Sequence, residues 1–159
     1  MNIIVFGASG KTGKIVIENA LRQEYSVTAF VRDSSKLSIS DTKLTIIEGD
    51  ATDQDAVAKA VKGQNIVISC LGANNGLGKT TMLHEMTTNI VAAMKIHHVP
   101  QIIYVASAGI DKEIPGLSGK LMMKMLGNVL NDHRNAVQVI KENIPYYTKE
   151  KMMSLYEHT

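Results

Sequence analysis

Three glycines near the amino terminus, Gly7, Gly10 and Gly13, are the residues of this chain best suited to binding phosphate. They follow an apolar run at residues 3–6, and apolar residues recur at helical spacing after them. Such a turn carries a buried strand into a helix, whose first N–H groups have no intrahelical acceptor and therefore bind anions. The pattern predicts a dinucleotide site with the pyrophosphate on the turn and on the helix start.

Each glycine of this turn has its own expected role. Gly7 permits the tight turn, Gly10 removes a side chain from the path of the phosphates, and Gly13 lets the helix pack close to the strand. Their spacing, G-x-x-G-x-x-G, also occurs in glycine-rich surface loops, but the strand before and the helix after favour the nucleotide turn. The turn residues expected to bind cofactor beside the glycines are Ser9, Lys11 and Thr12.

The end of the second predicted strand carries the charges that can read the adenosine ribose. Arg32 comes first there, and a guanidinium can form a fork with the 2′-phosphate of NADP, to which Ser34 and Ser35 can add donors. The alternative is that Asp33 binds the ribose of NAD while Arg32 and Lys36 are ordinary solvated charges. We expect NADP, with NAD as the second choice.

The third and fourth predicted strands also end in polar or small residues. The carboxylate of Asp50, next to Ala51, can accept from the adenine amino group, or it can serve as a turn or helix-capping residue. The small stretch Leu71, Gly72 and Ala73 allows the backbone to pass close to the nicotinamide ribose. These residues complete the expected cofactor site.

Two polar residues are candidates for the chemical step. Ser107 follows the fifth predicted strand, where its hydroxyl can bond a substrate carbonyl or the cofactor amide, or simply cap the strand turn. His133 lies on the last predicted helix, which should run along the active-site side of the sheet. Cys70 has no neighbouring cation or second cysteine, so we expect an unreactive buried thiol.

Composition excludes several other classes of protein. Hydrophobic residues make up 45% of the 159 and no apolar stretch has the length of a membrane span, which argues against membrane insertion. A net charge of +2 without a basic stripe, and only two phenylalanines and five tyrosines, argue against nucleic acid as a partner. The histidines lack metal-ligand spacing. A single cysteine and the absence of a leader before the first strand predict a cytoplasmic protein.

Short β-type runs alternate with longer helical ones along the chain, which is typical of repeated βαβ units. We predict one domain over residues 1–159, with a Rossmann-like, doubly wound parallel sheet in the order 3-2-1-4-5 and helices on both faces. The predicted strands are 2–6, 26–31, 44–48, 66–71 and 102–106, and the predicted helices are 11–23, 53–61, 80–97 and 119–143.

Together, these motifs and the stretches 31–35, 89–94, 106–108 and 132–133 resemble the atypical short-chain dehydrogenase/reductase family. More narrowly, the chain is similar to the flavin reductase and biliverdin-IXβ reductase group and its NmrA-like relatives. The resemblance implies NADPH bound through the residues above and hydride delivery to a small planar acceptor such as a flavin, quinone or tetrapyrrole. It also implies Ser107 and His133 near the reacting atoms.

Two departures from the family pattern bear on activity. Lys120, Lys124 and Arg134 have no tyrosine four residues before them, so we expect no Tyr-x-x-x-Lys dyad after the fifth strand. After residue 147 the family continues into a sixth strand ending in Arg-Pro and a substrate-covering segment, which this sequence does not follow. These departures favour an alternative function, an NmrA-like module that binds the dinucleotide without turnover. They also predict an unpaired edge at the fifth strand through which copies of the chain can associate.

Overall fold

A computed structural model describes residues 1–72, 80–106 and 126–151. Strands and helices alternate along it, as the βαβ pattern predicts, apart from one short 3₁₀ helix, Ser34–Lys36, that connects β2 and β3. The strands are β1 (Asn2–Phe6), β2 (Ser26–Val31), β3 (Leu44–Glu48), β4 (Ile66–Ser69), β5 (Gln101–Ala106) and β6 (Tyr146–Lys151). The helices are α1 (Lys11–Arg22), α2 (Gln54–Val61), α3 (Met82–Ile96) and α4 (Gly127–Asn143).

The six strands form one parallel sheet in the order β3-β2-β1-β4-β5-β6. β1 lies at its centre, between β2 and β4, so the chain reverses its direction of travel across the sheet after β3. This is a Rossmann-like α/β fold, and the predicted fold class is confirmed. In such sheets ligands bind at the carboxyl ends of the strands, near the point of reversal.

The expectation of an unpaired edge at the fifth strand is wrong. Residues 146–151 run parallel to β5 in register, from Gln101 opposite Tyr146 to Ala106 opposite Lys151. The sequence did not reveal this strand because its residues contain no apolar run, whereas β3, at the opposite edge of the sheet, has one and was predicted. An edge strand tolerates charges, which also discourage pairing with other chains. Association of copies of the chain stays untested.

Helices cover both faces of the sheet. On one face α1 packs against β1 and β2, with Ile3, Val5 and Ile17 among its buried residues. On the other face α2, α3 and α4 form a larger core around Ile4 and Phe6. The central strand is therefore buried on both sides, which its continuous apolar run predicts.

The observed boundaries of β1 to β5 and of α1 to α3 differ from the predicted ones by at most two residues, and one of these differences bears on the site. β4 ends at Ser69, so Leu71 and Gly72 leave the sheet and form a loop beside the amino end of α1. Of the helix predicted over 119–143, residues 119–125 lie outside the described residues. In the described parts of the chain no helix combines the length and the apolarity that crossing a membrane requires.

Candidate functional site

The glycine turn between β1 and α1 is closed by backbone contacts that leave little room for side chains. Gly7 has φ +72°, and a Cβ built on it would lie 2.5 Å from the carbonyl oxygen of Cys70 in the neighbouring strand end. A Cβ on Gly13 would lie 2.4 Å from the carbonyl oxygen of Gly7. Gly10 donates its N–H to that same oxygen at 3.1 Å and caps the helix. The turn thus holds the amino end of α1 against the carboxyl end of β1.

A cleft opens at the carboxyl ends of β1 to β4, where the glycine turn meets the loops after the other three strands. Eight of the residues predicted to bind cofactor line it: Gly7, Ser9, Gly10, Arg32, Asp50, Ala51, Leu71 and Gly72. Five predicted residues do not line it directly, namely Lys11, Thr12, Gly13, Ser34 and Ser35. Ala73 and Ser107 lie outside the described residues.

The loop after β2 carries a cation that lines the cleft, Arg32, and an acid, Asp33, whose carboxylate is hydrogen-bonded within the loop. Arg32 is exposed and, within the described residues, forms no ion pair. Asp33 caps the short 3₁₀ helix, accepting from the N–H of Ser35 at 3.1 Å and from its hydroxyl at 2.6 Å, and it pairs with Lys36 at 3.4 Å. The Ser35 hydroxyl and, more weakly, Lys36 hold the pKa of Asp33 below its usual value.

Two further carboxylates lie at the end of β3 and in the loop after it. Glu48, at the end of β3, accepts the N–H of Ser34 at 2.6 Å, and its hydrogen bonds with Ser34 lower its pKa. Asp50 accepts the N–H and the hydroxyl of Thr52 through one oxygen, Oδ1, at 2.9 and 2.8 Å. These bonds, and more weakly the charge of Arg32, lower the pKa of Asp50. Within the described residues these hydrogen bonds use Oδ1 alone, and Asp50 lines the cleft.

Helix α3 forms the opposite wall of the cleft, a role that the sequence did not reveal. Met82 and Met86 from its first turns line the cleft. Farther along, the amide of Asn89 donates to the carbonyl oxygens of Ala51 and Thr52 at 3.1 and 3.0 Å. This side chain therefore ties α3 to the loop that carries Asp50.

His133 lies in the buried interface between α4 and β5, not on the cleft. Only 3% of it is exposed, and its Nδ1 shares a hydrogen bond of 3.0 Å with the hydroxyl of Tyr104. Burial lowers the pKa of His133, although the nearby Asp132 opposes that effect, and burial raises the pKa of Tyr104. Both groups are therefore uncharged at neutral pH, and this geometry gives His133 a packing role. Its part in chemistry stays a prediction.

The lowered pKa of His133 predicts a pH-dependent stability. The unfolded chain, where histidine has its ordinary pKa of 6.5, binds a proton before the folded chain does. We therefore expect the free energy of unfolding to be fully present above that pH and to fall below it, by at most about 1.4 kcal/mol per pH unit for one proton. Urea unfolding between pH 5 and 8 measures this slope.

His133→Gln should flatten that slope, whereas His84→Gln, at an exposed position on α3, should leave it as it is. An equal slope in unmodified protein and His133→Gln would show that other groups titrate.

Two remaining predictions about side chains have different outcomes. A Tyr-x-x-x-Lys spacing does exist at Tyr147 and Lys151, contrary to the expectation that none follows the fifth strand. It lies on β6, an extended strand in which the Cα atoms of residues four apart are separated by about 13 Å. Burial raises the pKa of the Cys70 thiol to about 12, which fits an unreactive cysteine. Among the described residues no cluster of acids, histidines and cysteines can hold a metal ion.

Comparisons with known proteins agree with this architecture. A profile of proteins described as NAD(P)H-binding matches residues 7–150. An oxidoreductase from Pestalotiopsis microspora is 26% identical over 163 residues, which cover 91% of this chain and 62% of that protein. The chain thus spans less than two thirds of the length of this relative.

Two solved structures share the fold. A short-chain dehydrogenase/reductase from Veillonella parvula in complex with NADP superposes with a TM-score of 0.79 at 22% identity, over 93% of this chain and 67% of that one. The anaerobillin reductase ChuY from Escherichia coli superposes with a TM-score of 0.76 at 19% identity, over 94% and 71%. At these identities the likeness concerns the fold alone.

Proposed function

Because this chain belongs to the NAD(P)H-binding family, we propose that it is a reductase that uses NADPH to reduce a small planar acceptor. The observation that carries this proposal is the cleft at the carboxyl ends of β1 to β4, in which the glycine turn, Arg32 and Asp50 face a common space. The pyrophosphate and the adenosine half of a dinucleotide each have a chemically suitable partner there.

The glycine turn fits the pyrophosphate of such a cofactor. Gly10 lines the cleft without a side chain, and the nearest atom to a Cβ built on it is the Gly7 carbonyl oxygen at 3.3 Å. The space where that side chain would project is therefore open to a ligand. Backbone N–H groups at the start of α1 would hold the phosphates there, and the dipole of a 12-residue helix adds to the attraction.

The charges at the end of β2 favour NADP over NAD. Binding NAD through Asp33 would have to use Oδ2, which pairs with Lys36 at 3.4 Å, because Oδ1 accepts the N–H and the hydroxyl of Ser35. Arg32 has no such commitment to another charged side chain in the described residues, and a guanidinium matches the geometry of a phosphate. Asp50 would accept from the adenine amino group with its second oxygen.

Arg32→Ala should therefore weaken the binding of NADPH and leave that of NADH nearly unchanged. The lost charge-assisted hydrogen bonds correspond to about 1.5 to 3 kcal/mol, or roughly tenfold to more than a hundredfold in Kd. Fluorescence titration with each cofactor measures both constants.

Arg22→Ala is the matched control. Arg22 lies at the carboxyl end of α1, far from the glycine turn, and replacing it changes the net charge by the same amount as Arg32→Ala. Equal Kd values for the two cofactors in the unmodified protein would contradict the assignment of NADP.

Bound NADPH would supply a hydride to an acceptor placed beside its nicotinamide. The chain itself would orient the cofactor through the glycine turn, Arg32 and Asp50. Leu71, Gly72, Met82 and Met86 would line the rest of the cleft around it. Ser107 remains our candidate for bonding the acceptor carbonyl. Flavins and quinones can take their proton from solvent, which suits a site without a Tyr/Lys dyad.

The reductase proposal is tested by incubating the purified protein with NADPH and FMN, simple quinones, biliverdin or anaerobillin, and following the absorbance of NADPH. Saturable, enzyme-dependent oxidation with at least one acceptor supports it. Tight binding of NADPH with no oxidation by any acceptor would instead support the second function, an NmrA-like module that binds the dinucleotide without turnover. An absence of NADPH binding would contradict both functions.

A further inference from the structure

Helix α3 is capped by a carboxylate from another helix. Asp132 of α4 accepts the N–H of Leu83 through Oδ2 and the N–H of His84 through Oδ1, each at 3.0 Å. Thr81, at the N-cap position of α3, makes no side-chain cap. Asp132 is 1% exposed, so its carboxylate is shielded from water. These two hydrogen bonds and the positive end of the helix dipole compensate for that loss of solvation.

The end of α3 that Asp132 holds is the end that lines the cleft. Met82 immediately precedes the capped residues, Met86 follows one turn later, and both face the cleft. Asn89 then ties the same helix to the loop after β3. Asp132 itself is not among the described residues that line the cleft. Its influence on a ligand must therefore pass through the position of α3.

We infer that Asp132 is a positioning residue for nucleotide binding, which sets the first turn of α3 so that Met82 and Met86 meet the bound cofactor. This inference rests on the proposed function. Without the carboxylate, two N–H groups at a buried helix end lack their acceptors, and the first turn must fray or shift to find others. The two methionines would move with that turn, although Asp132 bonds to Leu83 and His84 and not to them.

The experiment compares Asp132→Ala with Asp53→Ala. Asp53 also caps a helix, from the exposed N-cap position of α2 itself, with Oδ1 accepting the N–H groups of Asp55 and Ala56 at 2.9 and 3.1 Å, and it is not among the described residues that line the cleft. Kd values for NADPH and NADH are measured by fluorescence titration at a temperature where circular dichroism shows every variant to be folded. Thermal unfolding gives the Tm of each variant.

Asp132→Ala should raise the Kd of both cofactors by a common factor of about ten, because the first turn of α3 serves both alike. Asp53→Ala should lower the Tm without raising either Kd. Asp132→Asn should lie between the unmodified protein and Asp132→Ala, since a carboxamide oxygen still accepts one N–H, and it provides a folded variant if the alanine variant unfolds. In a Met86→Ala background the effect of Asp132→Ala on Kd should shrink, because part of the wall that it positions is gone.

A second measurement does not depend on any ligand. Methyl NMR signals of Met82 and Met86 should shift in Asp132→Asn and stay in place in Asp53→Ala. Unchanged Kd values in Asp132→Ala and Asp132→Asn, with binding intact in the unmodified protein, would overturn the inference and leave the proposed function standing. Failure of the unmodified protein to bind either cofactor would overturn both.

Discussion

Gly13→Ala should destabilise the fold by about 3 kcal/mol, even though alanine is the better helix former by about 1 kcal/mol. The added methyl would lie 2.4 Å from the carbonyl oxygen of Gly7 and 2.8 Å from the Cα of Ala8. Both are backbone atoms of the turn, so neither can rotate away as a side chain would. Relief requires moving α1 away from β1, and that exposes the buried contacts of Ile17 on the sheet.

Gly127→Ala is the matched control for this prediction. Gly127 is also a helical glycine, at the first position of α4, but a Cβ there meets no atom of the described residues within 4 Å. Gly127→Ala should therefore show only the difference in helix propensity, so its free energy of unfolding should stay the same or rise. Thermal unfolding separates the two substitutions, with a fall in Tm of about 10 °C expected for Gly13→Ala in a chain of this length. A Tm for Gly13→Ala equal to that of the unmodified protein would show that the turn can relax.

The difference between these two glycines illustrates what the sequence does and does not reveal about the fold. The strands β1 to β5 were predictable because each contains a run of apolar residues, and this holds even for β3, which lies at an edge of the sheet. Gly7, Gly10 and Gly13 stood between a strand and a helix, and this local context identified the turn. β6 was missed because an edge strand needs no apolar run, so Tyr146–Lys151 resembles an ordinary polar tail.

The cleft was predictable for a topological reason. In a parallel sheet the carboxyl ends of all strands lie at one edge, so residues that follow different strands, such as Arg32, Asp50 and Gly72, converge there. Contacts between elements were not predictable in this way. The bond from the Ser34 N–H to Glu48 and the cap of α3 by Asp132 depend on how loops and helices pack, which periodicity does not report.

One sequence signal nevertheless pointed toward Asp132. Ala136 and Ile140, four and eight residues later on α4, share its side of the helix and are buried. An acid within such an apolar stripe is rarely without a buried partner, because an unpaired buried carboxylate is strongly unfavourable. The stripe therefore indicates that Asp132 is bonded, although not that its partner is the end of α3.

Gly10→Val should abolish measurable binding of NADPH and NADH while leaving the fold in place. Gly10 has φ −73° and ψ 164°, which any residue adopts, and it is exposed at the mouth of the cleft. Among the atoms of the described residues, a Cβ there meets only the Gly7 carbonyl oxygen, at 3.3 Å, so these residues can accommodate it with a small shift. The valine methyls would instead occupy the space through which the pyrophosphate approaches the backbone. Fluorescence titration should show a loss in affinity of about a hundredfold or more, which corresponds to about 2.7 kcal/mol.

A graded series distinguishes exclusion of the ligand from damage to the turn. Gly10→Ala adds one methyl at the same position and should weaken binding less than Gly10→Val, with a circular dichroism spectrum and Tm close to those of the unmodified protein in both. If exclusion is the cause, affinity falls with the size of the side chain while Tm stays nearly constant. If Gly10→Val instead binds NADPH as tightly as the unmodified protein, the pyrophosphate does not lie on this turn. The glycines would then serve only to pack α1 against β1, as the contacts of Gly13 already require.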